Sequence, residues 1–498
     1  MDGDQPEGAA ELEHDKFSTT VTFLCGQFVK KSEALYDLIS AAVPAIEHLD
    51  SGARAMEVLD EKLKFVPPDT VLRFKKFYIE YADRFPDRKF SVKQLMEAVW
   101  EEFRSDPHGA HIFVALHEMF ATPARKPILL ELLVVSIVSA YEALLAELVE
   151  QFFKVSPEAL EKVSRDREKE FSLRDLKSLG TIEDAVDLAI SRRVEELMFG
   201  SFAEWRKFFI DRMNLSFEDY AVNWEALREV FQRRHILVHN GGEVSKRYLS
   251  NVDSSLTAGL TVGQRVSTDE DYVRAAIEQV ATFGVLLANA VILKFRKGDA
   301  DRVASFVAEF SYGNLQRGRN SAVVKCSSFI DGLPIAMGSK MIARVNSWIA
   351  RSSMNDPRVN GEVAAWDVSA LDPKFLLARH CLLGNIDESM TLVRSLHSQG
   401  ALTVQNILEW PLLEPLRGSA SYREFAQSLD LPSEWLEPEN GLYLNPKTRV
   451  LHRQSCMRRS SSCVPFTETD DVRYSACQLC RPHRDRPQLA GTSTDNEP

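Results

Sequence analysis

The sequence predicts a mainly α-helical protein of several domains, with a central antiparallel helical bundle, helical hairpins after it and a small cysteine-rich module. Three observations predict this class. The chain has 498 residues, more than one core of ordinary size accommodates. Most of it spaces apolar residues three and four positions apart, which is the period of a helix. Four of the seven cysteines follow residue 455, and such clustering is typical of a metal-held module in a chain without a secretory signal.

Composition limits the classes of partner. Hydrophobic residues make up 45% of the chain, enough to bury real cores, and the formal net charge is -12, which argues against a basic nucleic-acid sleeve along the whole chain. A nucleic-acid partner therefore needs a local positive site. The acidic start has no basic segment followed by an apolar run, so we expect a cytoplasmic protein. Glu131, Glu142 and Glu147 interrupt the most apolar stretch, residues 128–148, which indicates a buried helix and no membrane partner.

Residues 1–16 are acidic and polar, and we predict that they are disordered. Residues 17–124 have a mostly helical pattern, broken at Pro67-Pro68, and indicate a helical region of their own. Residues 125–298 are predicted to form the central antiparallel bundle. Its last helix begins at Thr268, Asp269 and Glu270, which are good helix-start residues, and ends before Gly298.

The second half of the chain is predicted to continue as shorter helices. Residues 299–365 would form a helical connector with turns rich in glycine and asparagine. Residues 366–436 would form helix pairs, and the stretch LLGNIDESMTLVRSLHSQGALTVQNILEWPLLEPLRG resembles a degenerate tetratricopeptide hairpin. Residues 440–486 are the cysteine-rich module, and residues 487–498 are a polar tail predicted to be disordered.

The strongest chemical signal is the string RRHILVHNGG at residues 233–242. It contains Arg234 and His239, separated by four residues. Cleavage of RNA by its own 2′-hydroxyl needs a base, an acid and a cation that stabilises the charge on phosphorus. Histidine titrates near neutral pH, so His239 is suited to act as base or acid. Arginine stays charged and grips two phosphate oxygens at once, which suits Arg234 to the cationic role.

This string resembles the signature of the HEPN superfamily, in which an arginine, a polar residue, three mostly apolar residues and a histidine lie late in a helical bundle. His235 occupies the polar position, and the resemblance extends over roughly residues 127–298. It implies a metal-independent RNA endonuclease that works as a homodimer, with two motifs facing one cleft and no cofactor for catalysis. It also implies a role as a toxin or anti-phage effector, with an antitoxin or another protein as partner.

Other side chains near the motif are predicted to serve the same site. Glu142 lies on the first bundle helix, where the resemblance implies a polar or acidic residue, and it would orient His239; the alternative is a plain surface glutamate. Positive charge and polar contacts to RNA would come from the residues around the motif. These are Arg233, His235, Asn240, Lys246 and Arg247.

The spacing of the two catalytic candidates raises a geometric question. Five helical residues turn the chain about 140° past one full turn, so Arg234 and His239 do not share one stripe of a helix. We expect them to converge either because the helix loosens at Asn240-Gly241-Gly242 or because a symmetric dimer brings two motifs together.

Three other interpretations stay open. In the first, His239 interacts with the dipole at a helix C terminus and Arg234 is a surface charge. In the second, His235 and His239, four positions apart on one face, bind a metal, although no third ligand is nearby in sequence. In the third, the bundle is a non-catalytic dimerisation scaffold, and the hairpins and the cysteine-rich module bind nucleic acid or protein.

The cysteine-rich module carries two ligand pairs with the spacing of a zinc site. They are His452-x3-Cys456 and Cys477-x2-Cys480, and we predict one structural zinc ion held by the four. The module resembles compact His-Cys-Cys-Cys modules appended to some bacterial nucleases and repair proteins. Cys463 departs from that pattern and is either a ligand in place of His452 or a free thiol. Several arginines here favour nucleic-acid binding, and the alternative is a solubilising or protein-binding zinc ribbon.

Overall fold

The computed structural model describes most of the chain and is mainly helical, which confirms the predicted class. The described residues are 7–50, 52–85, 91–121, 123–160, 180–429, 442–445, 450–453, 463–466 and 475–476.

The first five helices precede the predicted bundle. They are α1 (Glu7–Leu49), α2 (Gly52–Lys62), α3 (Pro68–Ala82), α4 (Val92–Phe103) and α5 (Gly109–Ala121). Helix α1 begins at Glu7, so ten residues of the stretch expected to be disordered, 7–16, are helical.

The central bundle follows. Its elements are α6 (Arg125–Val155), α7 (Ile182–Met198), α8 (Phe202–Phe208), a π-helical turn (Phe209–Met213), α9 (Phe217–Tyr220), α10 (Trp224–His239), α11 (Lys246–Asn251) and α12 (Glu270–Phe295). Helix α12 begins where the sequence predicts, because the Asp269 side chain accepts a hydrogen bond from the Tyr272 amide at 2.8 Å.

Helix α1 packs against α6 and α12 and belongs to the bundle core. Its buried face includes Phe17, Val21, Phe28 and Ile39, all under 5% exposed. The bundle therefore takes one of its long helices from residues that the sequence assigns to a separate N-terminal region. Helices α2 to α5 form a small core of their own, around residues such as Leu59, Phe74, Leu95 and Ile112.

Short helices continue to residue 428. They are α13 (Ala300–Gln316), α14 (Asn320–Asp331), α15 (Met337–Ser353), α16 (Arg358–Ala364), α17 (Pro373–Leu382), α18 (Ile386–Ser398), α19 (Val404–Glu409), α20 (Glu414–Arg417) and α21 (Ala420–Ser428). Val303, Val307, Cys326 and Ile330 extend the core of the bundle into α13 and α14. A second core, from Val345 to Leu429, holds the predicted helix pairs together.

The last described elements form a small four-stranded sheet. Its strands are β1 (Leu442–Leu444), β2 (Val450–Arg453), β3 (Val464–Pro465) and β4 (Ser475–Ala476), in the order β3-β1-β2-β4. Strand β1 is antiparallel to β2 and β3, whereas β2 and β4 run parallel with Leu451 opposite Ala476.

Two stretches of the chain, one of them spanning α5 and α6, are long and apolar enough to cross a membrane by length and composition alone. They are Gly109–Val155 and Glu270–Phe295. Of the most apolar window in α12, 89% is buried inside the protein. A helix that is covered on all sides by a protein core is also apolar all round. The apolar character of α12 is therefore weak evidence for a membrane span.

Candidate active site

The sequence around the motif ends a helix immediately after His239. Asn223 caps the start of α10 by accepting a hydrogen bond from the Ala226 amide at 3.1 Å. At the other end, the amides of Asn240 and Gly242 both donate to the Ile236 carbonyl, at 2.8 and 3.0 Å. Gly241 and Gly242 have φ angles of +59° and +81°, a left-handed backbone that glycine adopts at little cost and that terminates helices. His239 is therefore exposed in the last turn of a regular helix.

Arg234 points from α10 toward α6. Its Nη2 lies 3.4 Å from Oε2 of Glu142, and the two side chains are 28% and 27% exposed. Its Nε is buried and has no hydrogen-bond partner among the described residues. A guanidinium presents five N–H donors in a fixed fork, so the single long contact to Glu142 leaves Arg234 with donors for a further acceptor.

His235 and His239 form a pair on the exposed face of α10. Their ring centroids are 4.8 Å apart and their planes are inclined by 50°, as expected for neighbours one turn apart. The pKa of His235 is lowered, first by partial burial and then by the charges of His239, Arg247 and Arg234. His235 is therefore a neutral imidazole near pH 7, able to accept a proton.

The helix does not loosen between the two catalytic candidates. The hydrogen bond from the Asn240 amide to the Ile236 carbonyl keeps α10 regular through His239, and the backbone changes only after it, at Gly241 and Gly242. Within one chain, Arg234 pairs with α6 while His239 packs beside His235.

Glu142 accepts a hydrogen bond from Arg234. The sequence predicts that Glu142 orients His239, whereas this hydrogen bond joins it to Arg234, the other member of the motif. Burial raises the pKa of the Glu142 carboxyl, and the charge of Arg234 opposes that rise.

Arg233 is buried, 8% exposed, which corrects its predicted contact with RNA. Its Nε donates to Oε1 of Glu229 at 2.6 Å and its Nη1 donates to the Ser267 carbonyl at 2.6 Å. Tyr248 and Tyr272 donate their hydroxyls to the same carboxylate at 2.5 and 2.6 Å, and the guanidinium lies 3.8 Å from the ring centre of Tyr272. The physical reason is the 100° step between neighbouring helical residues, which turns Arg233 inward and leaves Arg234 near the surface.

The other predicted RNA contacts lie at the surface beyond the end of α10. Asn240, Lys246 and Arg247 are exposed, and the charge of Arg247 is close enough to His235 to lower the pKa of that imidazole. Ser245 caps α11 by accepting a hydrogen bond from the Tyr248 amide at 3.1 Å. This cap fixes the start of α11, whose first two residues are Lys246 and Arg247.

The segment between α10 and α12 folds onto the end of α10. The Val244 amide donates to the Gln264 carbonyl at 2.8 Å, and the Val266 amide donates to the Gly242 carbonyl at 2.9 Å. Beneath these bonds lies a small core that includes Ile236, Val244, Tyr248, Val252 and Val266.

Sequence reasoning missed an ion pair that ties this segment to α6. Arg265 Nη2 donates to both oxygens of Glu131, at 2.8 and 2.9 Å. Glu131 and Glu142 are eleven positions apart on α6, which is close to three turns, so they share a face. That spacing was the available signal that one face of α6 receives arginines from α10 and its neighbouring segment.

The predicted zinc ligands fall mostly outside the described residues. His452 lies on β2 and is 5% exposed, and Cys463 is half-buried immediately before β3. Cys456, Cys477 and Cys480 lie outside the described residues. Among the residues that are described, no group of three or more His, Cys, Asp or Glu side chains is placed to hold a metal ion, at the histidine pair of α10 or elsewhere.

Comparison of the chain with protein-family models, with curated proteins and with solved structures finds no match.

Proposed function

We propose that this protein is a metal-independent endoribonuclease of the HEPN type that acts on RNA as a cytoplasmic homodimer. One observation carries the proposal: His235 and His239 pack with ring centroids 4.8 Å apart at the open end of α10. Arg234 and Arg247 are close enough for their charges to lower the pKa of His235. The wider role, as a toxin or anti-phage effector with an antitoxin or other protein partner, rests on the motif resemblance.

The pair of imidazoles supplies the two proton transfers of strand cleavage. His235, held neutral, accepts the proton of the 2′-hydroxyl as that oxygen attacks phosphorus. His239, exposed in the last turn, donates a proton to the departing 5′-oxygen. The guanidinium of Arg234 stabilises the negative charge that develops on the phosphate oxygens between these steps.

A homodimer supplies the geometry that one chain lacks. Arg234 and His239 occupy different faces of a regular α10, so a single helix presents them to a phosphate from two directions. A twofold axis beside α10 would place each Arg234 opposite the partner's histidine pair, in one shared cleft. Arg234, whose side chain is partly exposed and has unused donors, is suited to face such a cleft.

The test is cleavage of a single-stranded RNA by the purified full chain with EDTA present. We expect cleavage by the wild type and at least about a hundredfold loss in His239→Ala. His111→Ala is the matched control, because His111 is exposed on α5, outside the bundle core. If His239→Ala cuts RNA as fast as the control, the catalytic assignment is wrong; loss of wild-type activity in EDTA supports the metal interpretation of the histidine pair.

The ion pair between Arg234 and Glu142 favours the rival function, a non-catalytic scaffold, because it gives Arg234 a partner inside the chain. Sedimentation of wild type and Arg234→Ala separates the two functions. The nuclease proposal expects a dimer in both and loss of cleavage in the variant. A dimer without RNA cleavage in the wild type supports the scaffold.

We further propose that His452, Cys456, Cys477 and Cys480 hold one structural zinc ion. In support, His452 is buried on β2, and Leu451 immediately before it pairs with Ala476, which immediately precedes Cys477 in the sequence. Elemental analysis of the full chain should give about one zinc per chain, and none in the double variant Cys477→Ser/Cys480→Ser. Cys463→Ser is the control, and loss of zinc in that variant would instead make Cys463 a ligand.

A further inference from the structure

A cavity of about 680 Å³ opens where α9, α12 and α14 meet. The end of α12 and the turn after it supply Lys294 and Lys297, and α14 supplies Lys325 and Phe329. Asp219 and Tyr220 of α9 complete the polar and aromatic part of the wall. A volume of this size is in the range of sites for small organic ligands.

The lysines give this cavity a charge opposite to that of the whole chain. The chain carries a formal net charge of -12, yet three lysines and one aspartate line the wall. Among the described residues, none of these lysines forms an ion pair or a hydrogen bond with another side chain, unlike the paired Lys62 and Lys126. Unpaired ammonium groups around a concave surface raise the local concentration of anions.

A simpler explanation is that the lysines complement helix dipoles. Helix α12 ends at Phe295 and α14 ends at Asp331, close to the cavity. Each C terminus carries about half a negative charge. Two such ends and Asp219 together offset about two of the three positive charges, so roughly one remains for a ligand. That surplus fits a ligand of low charge, such as a phosphomonoester, better than a triphosphate.

An aromatic pair forms the apolar part of the wall. Tyr220 and Phe329 meet edge to face with ring centroids 6.1 Å apart, and Ala290, Leu293 and Leu333 lie beside them. Burial and the neighbouring charge of Asp219 raise the pKa of Tyr220, so the phenol stays neutral and able to donate a hydrogen bond. A planar ring with polar edges is the kind of ligand group that can stack on these aromatic side chains and accept a hydrogen bond from the Tyr220 hydroxyl.

We propose that this cavity binds a nucleoside monophosphate, with the phosphate held by Lys294, Lys297 and Lys325 and the base placed against Tyr220 and Phe329. The site is separate from the histidine pair and does not depend on the proposed ribonuclease activity. Its ligand is a small molecule.

The test is equilibrium binding by calorimetry, with the full-length chain and the four ribonucleoside 5′-monophosphates as probes. We expect saturable binding of at least one of them, and weaker binding of its nucleoside and of inorganic phosphate. The double variant Lys297→Gln/Lys325→Gln should bind it about tenfold or more weakly, because each lysine loses a charge-assisted contact. Lys93→Gln is the matched control, since the Lys93 side chain is 85% exposed on α4. Far-UV circular dichroism checks that the variants fold.

Three results would overturn the proposal. They are the absence of saturable binding by any monophosphate at millimolar concentration, binding that the double variant leaves unchanged, and equal binding of inorganic phosphate, which would remove the role of the aromatic wall. Because the readout is binding, it stands whether or not the protein cleaves RNA.

Discussion

Glu142 and Arg234 form the ion pair on the inner side of the candidate site, with Oε2 and Nη2 3.4 Å apart. Burial raises the pKa of Glu142 in spite of the arginine. A carboxyl whose pKa is raised on folding binds its proton more tightly in the folded state, so its contribution to stability is lost as pH rises through the folded pKa.

We therefore predict a pH-dependent effect of Glu142→Gln. Glutamine does not titrate, so the free energy of unfolding of the variant, relative to wild type, should rise as the pH is raised through and above 4.5, the ordinary pKa of a glutamate. Urea unfolding at a series of pH values measures it. Glu147→Gln, at an exposed position on the same helix, is the control for replacing a glutamate by glutamine in α6. A difference that falls as pH rises would mean that Arg234 outweighs burial.

The buried carboxylate of Glu229 gives a second prediction at this scale. Tyr248 and Tyr272 both donate to it, at 2.5 and 2.6 Å, so Tyr248→Phe or Tyr272→Phe should cost about 1–3 kcal/mol of unfolding free energy. Tyr141→Phe is the matched control, because the buried Tyr141 hydroxyl has no hydrogen-bond partner among the described residues. Its removal should be neutral or stabilising in the same urea titration, and an equal loss in all three variants would contradict the assigned bonds.

Between elements, α1 and α12 approach each other closely at Gly284. A Cβ placed on Gly284 of α12 would lie 2.5 Å from Cε1 of Phe28 on α1 and 3.3 Å from Cδ2 of Leu144 on α6. The absence of a side chain at Gly284 is thus what lets three long helices meet there.

We predict that Gly284→Ala lowers the unfolding free energy by about 1–3 kcal/mol, because the added methyl overpacks the contact with Phe28. Gly361→Ala is the control: Gly361 lies inside α16 with nothing within 4 Å of a built Cβ. That change should stabilise by up to about 1 kcal/mol through helix propensity. Thermal and urea unfolding measure both, and similar effects of the two changes would show that α1 is not tightly packed on α12.

At the scale of the whole molecule, the boundaries of the bundle decide which fragments fold. Residues 125–298 lack α1, whose Phe17, Val21, Phe28 and Ile39 fill the core between α6 and α12. Removing a whole helix exposes apolar surface on both of its neighbours.

We predict that the fragment 125–298 aggregates or lacks cooperative unfolding, whereas the fragment 7–333, which adds α1 and the α13–α14 pair, unfolds cooperatively. Circular dichroism melts and size-exclusion chromatography compare them. A monodisperse, cooperatively folded 125–298 would restore the boundary predicted from the sequence.

The sequence by itself determined the helical class, the start of α12 at Asp269 and the end of α10 at the two glycines. These features depend on local periodicity, capping and backbone freedom, and each is encoded within a few residues. The mainly helical class is confirmed, and the catalytic and zinc assignments stay predictions.

Only the tertiary structure decided which helices share the core and which arginine faces inward. The partners of Arg233, Arg234 and Arg265 include Ser267, Glu142 and Glu131, up to 134 positions away. Apolar periodicity identifies the buried face of a helix but not the helix that covers it. The hydrophobic effect is non-directional, so burial against any apolar stripe of similar area stabilises the helix about equally. The pairing of α1 with α12 depends instead on close fit at Gly284, which only the packed core specifies.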